Sequence, residues 1–595
     1  MVIGVVCAFI AVALLSLIGL FTNLFFYGRL ALTFVSPAGN QLGPYAVAVP
    51  VLGGLIVGLM ARYGSERIRG HGIPEAIEAI LINRSKIEPR VTVLKPIATA
   101  ISIGSGGPFG AEGPIIMTGG AFGSVLAQFL RLSAMERKTL LVAGAAAGMA
   151  ATFNSPVAAV LLAVELLLFE WKPRSLIPVG FASITATVLR GVLLGTGPIF
   201  PVGPTPIPSG LIVLSAIVVG LVAGGASTLL TWGVYGSEDA FRRLPIHWMW
   251  WPALGGLVIG VGGFIAPRAL GVGYDTIDAL LLGQLAVGAV AALLLVKSTI
   301  WAFSLGSGTS GGVLAPLMMM GGALGALESL VLPSGTLTLW VLVGIGAMIG
   351  GTMRSPFTGV VFTLELTHDV NALLPLLAAA LAADFFTVFS MKRSILTEKV
   401  ARRGVHVARE YSVDVLEQVR VETAMRKDFT PVQADLPVKD LVSDFIRAEG
   451  KSVGYPVVDA VGFLQAFLTR EKVFSCIGNS DHDRLTVRDL VSGPLVVAFP
   501  DEPVRAAAEK LATSGLECIP VVDPSNPQKV VGLISREDIF HTRIIWSAEE
   551  RVREKHLWMP RLSVGAIARN AFEKLRKRLS KKGSPKEAAG VTSRA

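Results

Sequence analysis

The chain has 595 residues, of which 52% are apolar and only 16% charged, with a formal net charge of +10 and a mean hydropathy of +0.62. Soluble domains carry about 25% charged residues, so an ordinary soluble globular protein is excluded and most of the chain belongs in lipid or in a membrane-buried core. The cysteines Cys7, Cys476 and Cys518 lie far apart, fit no metal-ligand spacing and are read as reduced thiols.

The first apolar run, Ile3 to Phe26, has neither a basic leader nor a small-residue cleavage site, and is expected to be a retained helix rather than a signal peptide. The runs Ile212 to Trp232 and Leu280 to Val296 also approach the roughly 20 residues that span hydrocarbon. Many other apolar segments are cut short by glycine or proline, which predicts tilted and re-entrant helices ending near the midplane. From about Lys392 the chain becomes charged and soluble in character.

Three glycine-rich elements interrupt the apolar part. Gly70-His71-Gly72-Ile73-Pro74-Glu75 precedes an apolar helix. Gly104 to Pro114 carries Gly110-Ala111-Glu112-Gly113-Pro114, and Gly306 to Pro316 carries Gly312-Val313-Leu314-Ala315-Pro316. The last two are copies: Gly104 matches Gly306, Gly110 matches Gly312 and Pro114 matches Pro316 at one constant offset. Asn154-Ser155-Pro156 with Glu165-Leu166 likewise matches Arg354-Ser355-Pro356 with Glu365-Leu366. The membrane part therefore reads as two related halves, 1–172 and 178–391. Paired breaks in matching places point to a transport site.

Each Gly-x-x-x-Pro element opens a helix, with proline where its missing N–H does no harm. Glycine leaves the backbone N–H groups open to a ligand, and the helix dipole adds partial positive charge. Several such N-termini meeting at the midplane bind an anion without a fixed cation, and without the full charges that would hold it too tightly to leave. Glu112 is the one carboxylate between the first glycine and the proline of these elements. An intramembrane carboxylate is a functional candidate; the competing structural reading is a charge that satisfies the helix start it precedes.

The soluble part is also duplicated. Tyr455-Pro456-Val457-Val458-Asp459 in the first copy answers Ile519-Pro520-Val521-Val522-Asp523 in the second, and each copy reads strand, helix, strand, strand, helix. The tail carries Lys574-Leu575-Arg576-Lys577-Arg578. Beside a membrane domain such charge is read as lying near anionic lipid or in solvent, and no nucleic-acid partner is expected.

The three ordered glycine motifs resemble the CLC family of chloride channels and chloride/proton exchangers, and the duplicated soluble part resembles a CBS domain pair. The resemblance implies a polytopic all-α membrane domain of two inverted repeats with re-entrant and tilted helices, plus a cytoplasmic α/β CBS pair. The implied divisions are a transport domain at 1–400, a linker at 401–420, CBS modules at 421–476 and 487–545, and a basic tail at 549–595. It implies a homodimer in the lipid bilayer with one pathway per subunit, chloride or another small anion as substrate, and protons acting at Glu112 as the gate. The positions that match the family's anion-binding residues are His71, Ala111, Glu112, Gly113, Val313, Leu314 and Ala315.

Departures from the family pattern bear on mechanism. His71 stands where a serine is usual; its imidazole either reaches the anion or packs away from it. Ala111 replaces a basic residue and Leu314 a phenylalanine. The tyrosine of the inner gate falls at Leu396. Leu166 replaces the internal proton-carrying glutamate, and Glu165 is read as structural, satisfying groups at a helix end. This favours channel-like or weakly coupled transport, with an antiporter using another internal proton route as the alternative. Ser535 and Asp538 match the pattern that holds a ribose in nucleotide-binding CBS members, so an adenine nucleotide is the expected ligand, against a purely structural module. In the first copy Thr469 is followed by Lys472, without the carboxylate. No other cofactor and no metal is expected. A CBS-bearing divalent-cation transporter needs clustered acids at the midplane, and a membrane enzyme needs a His-Glu-x-x-His or nucleophile motif; neither pattern occurs. The compact chain with few cysteines suggests a prokaryotic inner membrane, with the CBS pair in the cytoplasm.

Overall fold

The computed structural model describes residues 1–81, 83, 85–168, 171–402, 416, 419–447, 454–477, 485–491 and 495–544. The expected basic tail at 549–595 and most of the expected linker lie outside these residues. The chain forms two units, Met1–Tyr411 and Ser412–Ala595.

The first unit is helical. Ile3 to Phe26 folds as α1 (Val2–Tyr27), closed by Gly28 at φ 63°, a left-handed position that glycine takes without a Cβ penalty. Then follow α2 (Ala48–Tyr63), α3 (Ile73–Leu81), α4 (Pro89–Gly104), α5 (Glu112–Phe129), α6 (Ala134–Phe153), α7 (Pro156–Leu162), α8 (Pro173–Leu194) and α9 (Gly210–Arg242). The second half continues with α10 (Trp251–Ile265), α11 (Tyr274–Leu281), α12 (Val287–Gly306), α13 (Leu314–Glu328), α14 (Leu337–Met353), α15 (Pro356–Thr367), α16 (Leu373–Ser390) and α17 (Ile395–Arg402). Among the described residues seven helical stretches are long and apolar enough to cross a membrane, and α13, α14 and Pro156–Leu168 are shorter apolar helices. One expected span is corrected: Leu280 to Val296 is not a single helix. α11 stops at Leu281, Gly283 takes φ 66°, and α12 starts only at Val287. Uniform apolarity hides that break.

Every residue of α14 from Leu339 to Met353 is buried, as expected for a helix apolar on all sides. α14 packs on α13, and its counterpart α6 packs on α5. A Cβ on Gly119 or Gly144 would collide with the carbonyl oxygen of the other, and the same holds for Gly321 and Gly344 at the matching crossing. Close backbone approach at small residues is how membrane helices associate where lipid removes the hydrophobic drive. The two halves repeat each other down to backbone angles: Asn154 (φ 57°) and Arg354 (φ 55°) end α6 and α14. The halves meet where Gly110 and Gly312 form an antiparallel bridge.

In the second unit β1 (Val432–Gln433), β2 (Gly454–Val458) and β3 (Leu464–Thr469) form one sheet in that order, β1 parallel to β2 and β2 antiparallel to β3. β4 (Cys518–Asp523) pairs antiparallel with β5 (Asn526–Ser535). The expected first strand of the second copy, Leu495-Val496-Val497, is reduced to one parallel bridge between Ala498 and Val521. The short helices that precede each copy are exchanged. Val421 is buried with Val504, Leu511, Ile519 and Ile534 of the second copy, and Val487 with Val432, Leu441, Val457 and Val473 of the first.

Candidate functional site

The glycine-rich loops converge on the bridge between the halves. Gly110 N–H donates to the Gly312 carbonyl at 3.2 Å, and Gly312 N–H to the Gly110 carbonyl at 2.8 Å. A Cβ on Gly113 would meet the His71 carbonyl and, at 3.2 Å, the Gly312 Cα. The structure thus brings His71, Ala111, Glu112, Gly113, Val313, Leu314 and Ala315 into one buried neighbourhood. A fourth loop, Gly271-Val272-Gly273, leads into α11 as the first motif leads into α3. Gly271 and Gly273 take φ 64° and 78°; Gly70 and Gly72 take 81° and 93°. Sequence reading missed this loop, although its Gly-x-Gly spacing at nearly the repeat offset was the available signal.

Glu112 is fully buried. Its Oε1 accepts a hydrogen bond from the Ala315 N–H at 3.0 Å. Leu314 and Ala315 are the first two residues of α13, whose N–H groups have no partner within the helix. The carboxylate therefore lies where such a terminus attracts negative charge. Side chains at Gly110 or Gly312 would collide with it, so both glycines are needed to admit it. Its Oε2 is buried and has no hydrogen-bond partner among the described residues.

His71 is 5% exposed, and its Nδ1 has no hydrogen-bond partner among the described residues. The turn around it is braced by charge. Gly72 N–H donates to Glu75 Oε2 at 2.9 Å, Glu75 Oε1 pairs with Lys399 Nζ at 2.5 Å, and Lys95 Nζ donates to the Ile68 and Gly70 carbonyls at 2.7 and 2.6 Å. Lys297 repeats the device in the second half, donating to Ala269 and Gly271 at 2.9 and 3.0 Å. Both lysines are fully buried. A cavity of about 500 Å³ opens beside His71, lined by Arg69, Glu75, Tyr235, Trp248 and Lys399 among others. Sequence reading missed Lys95, Lys297, Lys399 and Tyr235. Two lone lysines in matching apolar helices at the repeat offset were a usable signal; nothing in the sequence pairs Lys399 with Glu75.

Leu396 is buried in the first turn of α17. A tyrosine does reach that turn, from elsewhere: the Tyr235 hydroxyl donates to the Ile395 carbonyl at 2.5 Å. Leu166 is buried in a π-helical turn, Ala163–Leu168. Its neighbour Glu165 crosses to the other half, where Oε2 accepts from Thr358 N–H at 2.9 Å and Thr358 Oγ1 at 2.5 Å. Glu365 answers by accepting from Val157 N–H at 2.9 Å and Ala158 N–H at 2.8 Å. Each glutamate caps the helix start of the opposite repeat, α15 or α7.

In the soluble unit Asp538 is already engaged. Its Oδ2 accepts from Ser535 N–H at 2.9 Å and Ser535 Oγ at 2.6 Å, and its Oδ1 accepts from Arg426 Nε at 2.6 Å. These contacts hold the Arg426 guanidinium above its usual pKa, through the hydrogen bond with Asp538 first. A cavity of about 510 Å³ in this unit is lined by Thr469 and Lys472 of the first copy together with Leu516 and Cys518 of the second. Among the described residues no group of three or more His, Cys, Asp or Glu comes together.

The sequence profile described as voltage gated chloride channel matches residues 53–387, and the CBS domain profile matches residues 487–544. A putative chloride channel protein ClcB-like from Ralstonia nicotianae is 30% identical over 343 residues, covering 56% of this chain and 80% of that protein. The H(+)/Cl(-) exchange transporter ClcA of Citrobacter koseri is 29% identical over 388 residues, covering 61% and 81%. Among solved structures, a slow cyanobacterial Cl-/H+ antiporter superposes with a TM-score of 0.60 at 22% identity, covering 68% of this chain and 97% of that one. A eukaryotic CLC transporter superposes with a TM-score of 0.56 at 19% identity, covering 90% and 96%.

Proposed function

The chain belongs to the voltage-gated chloride channel family, and we propose that it moves chloride across a membrane along a pathway that Glu112 opens and closes. The observation that carries this reading is the seat of Glu112: a buried carboxylate on the Ala315 amide, at the start of α13 and against the Gly110–Gly312 bridge. Ionised, it occupies the place an anion would take. Protonated, it loses its charge-assisted hold on the amide and yields the place to chloride, so anion access follows proton concentration. Flux through the reconstituted protein with Glu112→Gln tests this: a permanently neutral side chain should leave the pathway open at neutral pH.

Leu166 supports channel-like or weakly coupled movement, because an aliphatic side chain in the π-helical turn carries no proton. Coupled exchange is the second reading, favoured by relatives named H(+)/Cl(-) exchange transporters. It requires a proton route that bypasses Leu166. We further propose a homodimer in a prokaryotic inner membrane, with its CBS pair cytoplasmic and regulatory, as the family resemblance implies. An adenine nucleotide at Ser535 and Asp538 must displace Arg426 from Asp538.

A further inference from the structure

Tyr274 opens α11 directly after Gly273. Its ring centroid lies 6.0 Å from Phe34, 6.4 Å from Phe153 and 6.0 Å from Phe200, and Phe153 meets Phe362 edge-on at 5.2 Å. Inside this aromatic wall the Tyr274 hydroxyl is buried without a hydrogen-bond partner among the described residues. Native proteins rarely leave a buried hydroxyl so. Its loop is tied to the loop that leads to Glu112, the Gly271 N–H donating to the Gly106 carbonyl at 3.1 Å, and α11 packs on α13. The first turn of α13 holds the Glu112 carboxylate through Oε1 on the Ala315 amide, while Oε2 has no hydrogen-bond partner among the described residues. Two complementary orphan groups thus share one buried region.

We propose that the Tyr274 hydroxyl receives the Glu112 carboxyl when that group leaves the Ala315 amide. In the closed arrangement the carboxylate caps α13. Once protonated it gives up that amide to an incoming anion and turns toward the aromatic wall. There a neutral carboxyl without a partner is costly. The phenol can donate to its carbonyl oxygen or accept its proton, so the hydrogen bond lost at Ala315 is replaced and the open state is stabilised. Tyr274 acts here as a positioning residue. Lys297 supports it by holding the Ala269 and Gly271 carbonyls just ahead of α11. The charged or titratable groups around the pair are Lys297 of α12, Asp275 of α11 and His71 across Gly113.

The inference rests on the gating reading of Glu112. Tyr274→Phe keeps the ring and removes only the hydroxyl, so the wall is preserved; a melting temperature equal to wild type checks that. In the full-length reconstituted protein, the midpoint of flux against pH should move down by about half to one unit, and flux near the wild-type midpoint should fall about 3- to 10-fold, the scale of one neutral hydrogen bond. In a Glu112→Ala background Tyr274→Phe should change nothing. An unshifted midpoint, or an equal loss in the Glu112→Ala background, overturns the proposal. If Glu112→Ala itself leaves flux and its pH response as in wild type, the gating reading fails as well.

Discussion

Glu112 and Ala315 are joined across the two repeats: the carboxylate Oε1 of one accepts the backbone N–H of the other at 3.0 Å. The amide belongs to the first turn of α13, so it is a donor that the helix itself cannot use. A carboxylate of the first half therefore closes a site that the second half provides. What competes with it there, and what holds its surroundings in place, can be varied one residue at a time.

Leu166 stands at the matched internal proton position. With it in place, a chloride gradient across proteoliposomes should drive little uphill proton movement, and reversal potentials should follow chloride rather than pH. Proton uptake in fixed proportion to chloride flux would require another internal carrier and would favour the exchanger reading.

Glu365 accepts from two backbone N–H groups at the start of α7. Glu365→Ala removes both charge-assisted acceptors and should lower stability by roughly 1–3 kcal/mol, read as a lower melting temperature in detergent, with anion preference unchanged. Glu165→Ala should act in the same way at α15. A loss of proton coupling at unchanged stability would instead place Glu165 in a proton route.

Arg426 occupies Asp538. Arg426→Ala should therefore raise the affinity of the full-length protein for an adenine nucleotide, seen as a larger rise in melting temperature on addition of nucleotide, and Asp538→Ala should remove it. If neither wild type nor Arg426→Ala responds to millimolar nucleotide, the CBS pair is a scaffold without that ligand.

His71 carries an unpartnered Nδ1 beside the convergence of the loops. In a Glu112→Gln background any remaining pH dependence belongs to other groups. If the imidazole reaches the central anion, protonation tightens anion binding; His71→Ser should abolish that dependence and move preference toward chloride. Equal affinity and equal pH dependence with histidine or serine would mean that the ring packs away from the ion.

The three proline-ended glycine motifs are legible in the sequence because few other roles need so much glycine within apolar runs, and because two of them are copies of each other in the two halves. The Gly271-Val272-Gly273 loop is harder to see: no proline follows it, and α11 has only eight residues. The end of α11 is hidden for a different reason, since Leu280 to Val296 stays apolar through the break and only Gly283 and Gln284 mark it. Glu165 can be read as a helix-end charge from its mate Glu365, but the exchange of caps between halves is a tertiary fact. The same holds for Lys399 with Glu75 and for the exchanged Val421 and Val487 helices, because periodicity describes which face is buried and not what buries it.

The most direct test of the gate is anion flux through reconstituted wild type and Glu112→Gln across pH 5 to 8. Loss of the titrating carboxyl should raise flux at neutral pH by about tenfold or more, as expected when a blocking group worth at least one charge-assisted hydrogen bond is neutralised, and should flatten the rise expected of wild type as pH falls. A folded Glu112→Gln protein with wild-type flux and wild-type pH dependence would contradict the assignment of Glu112 as the gate.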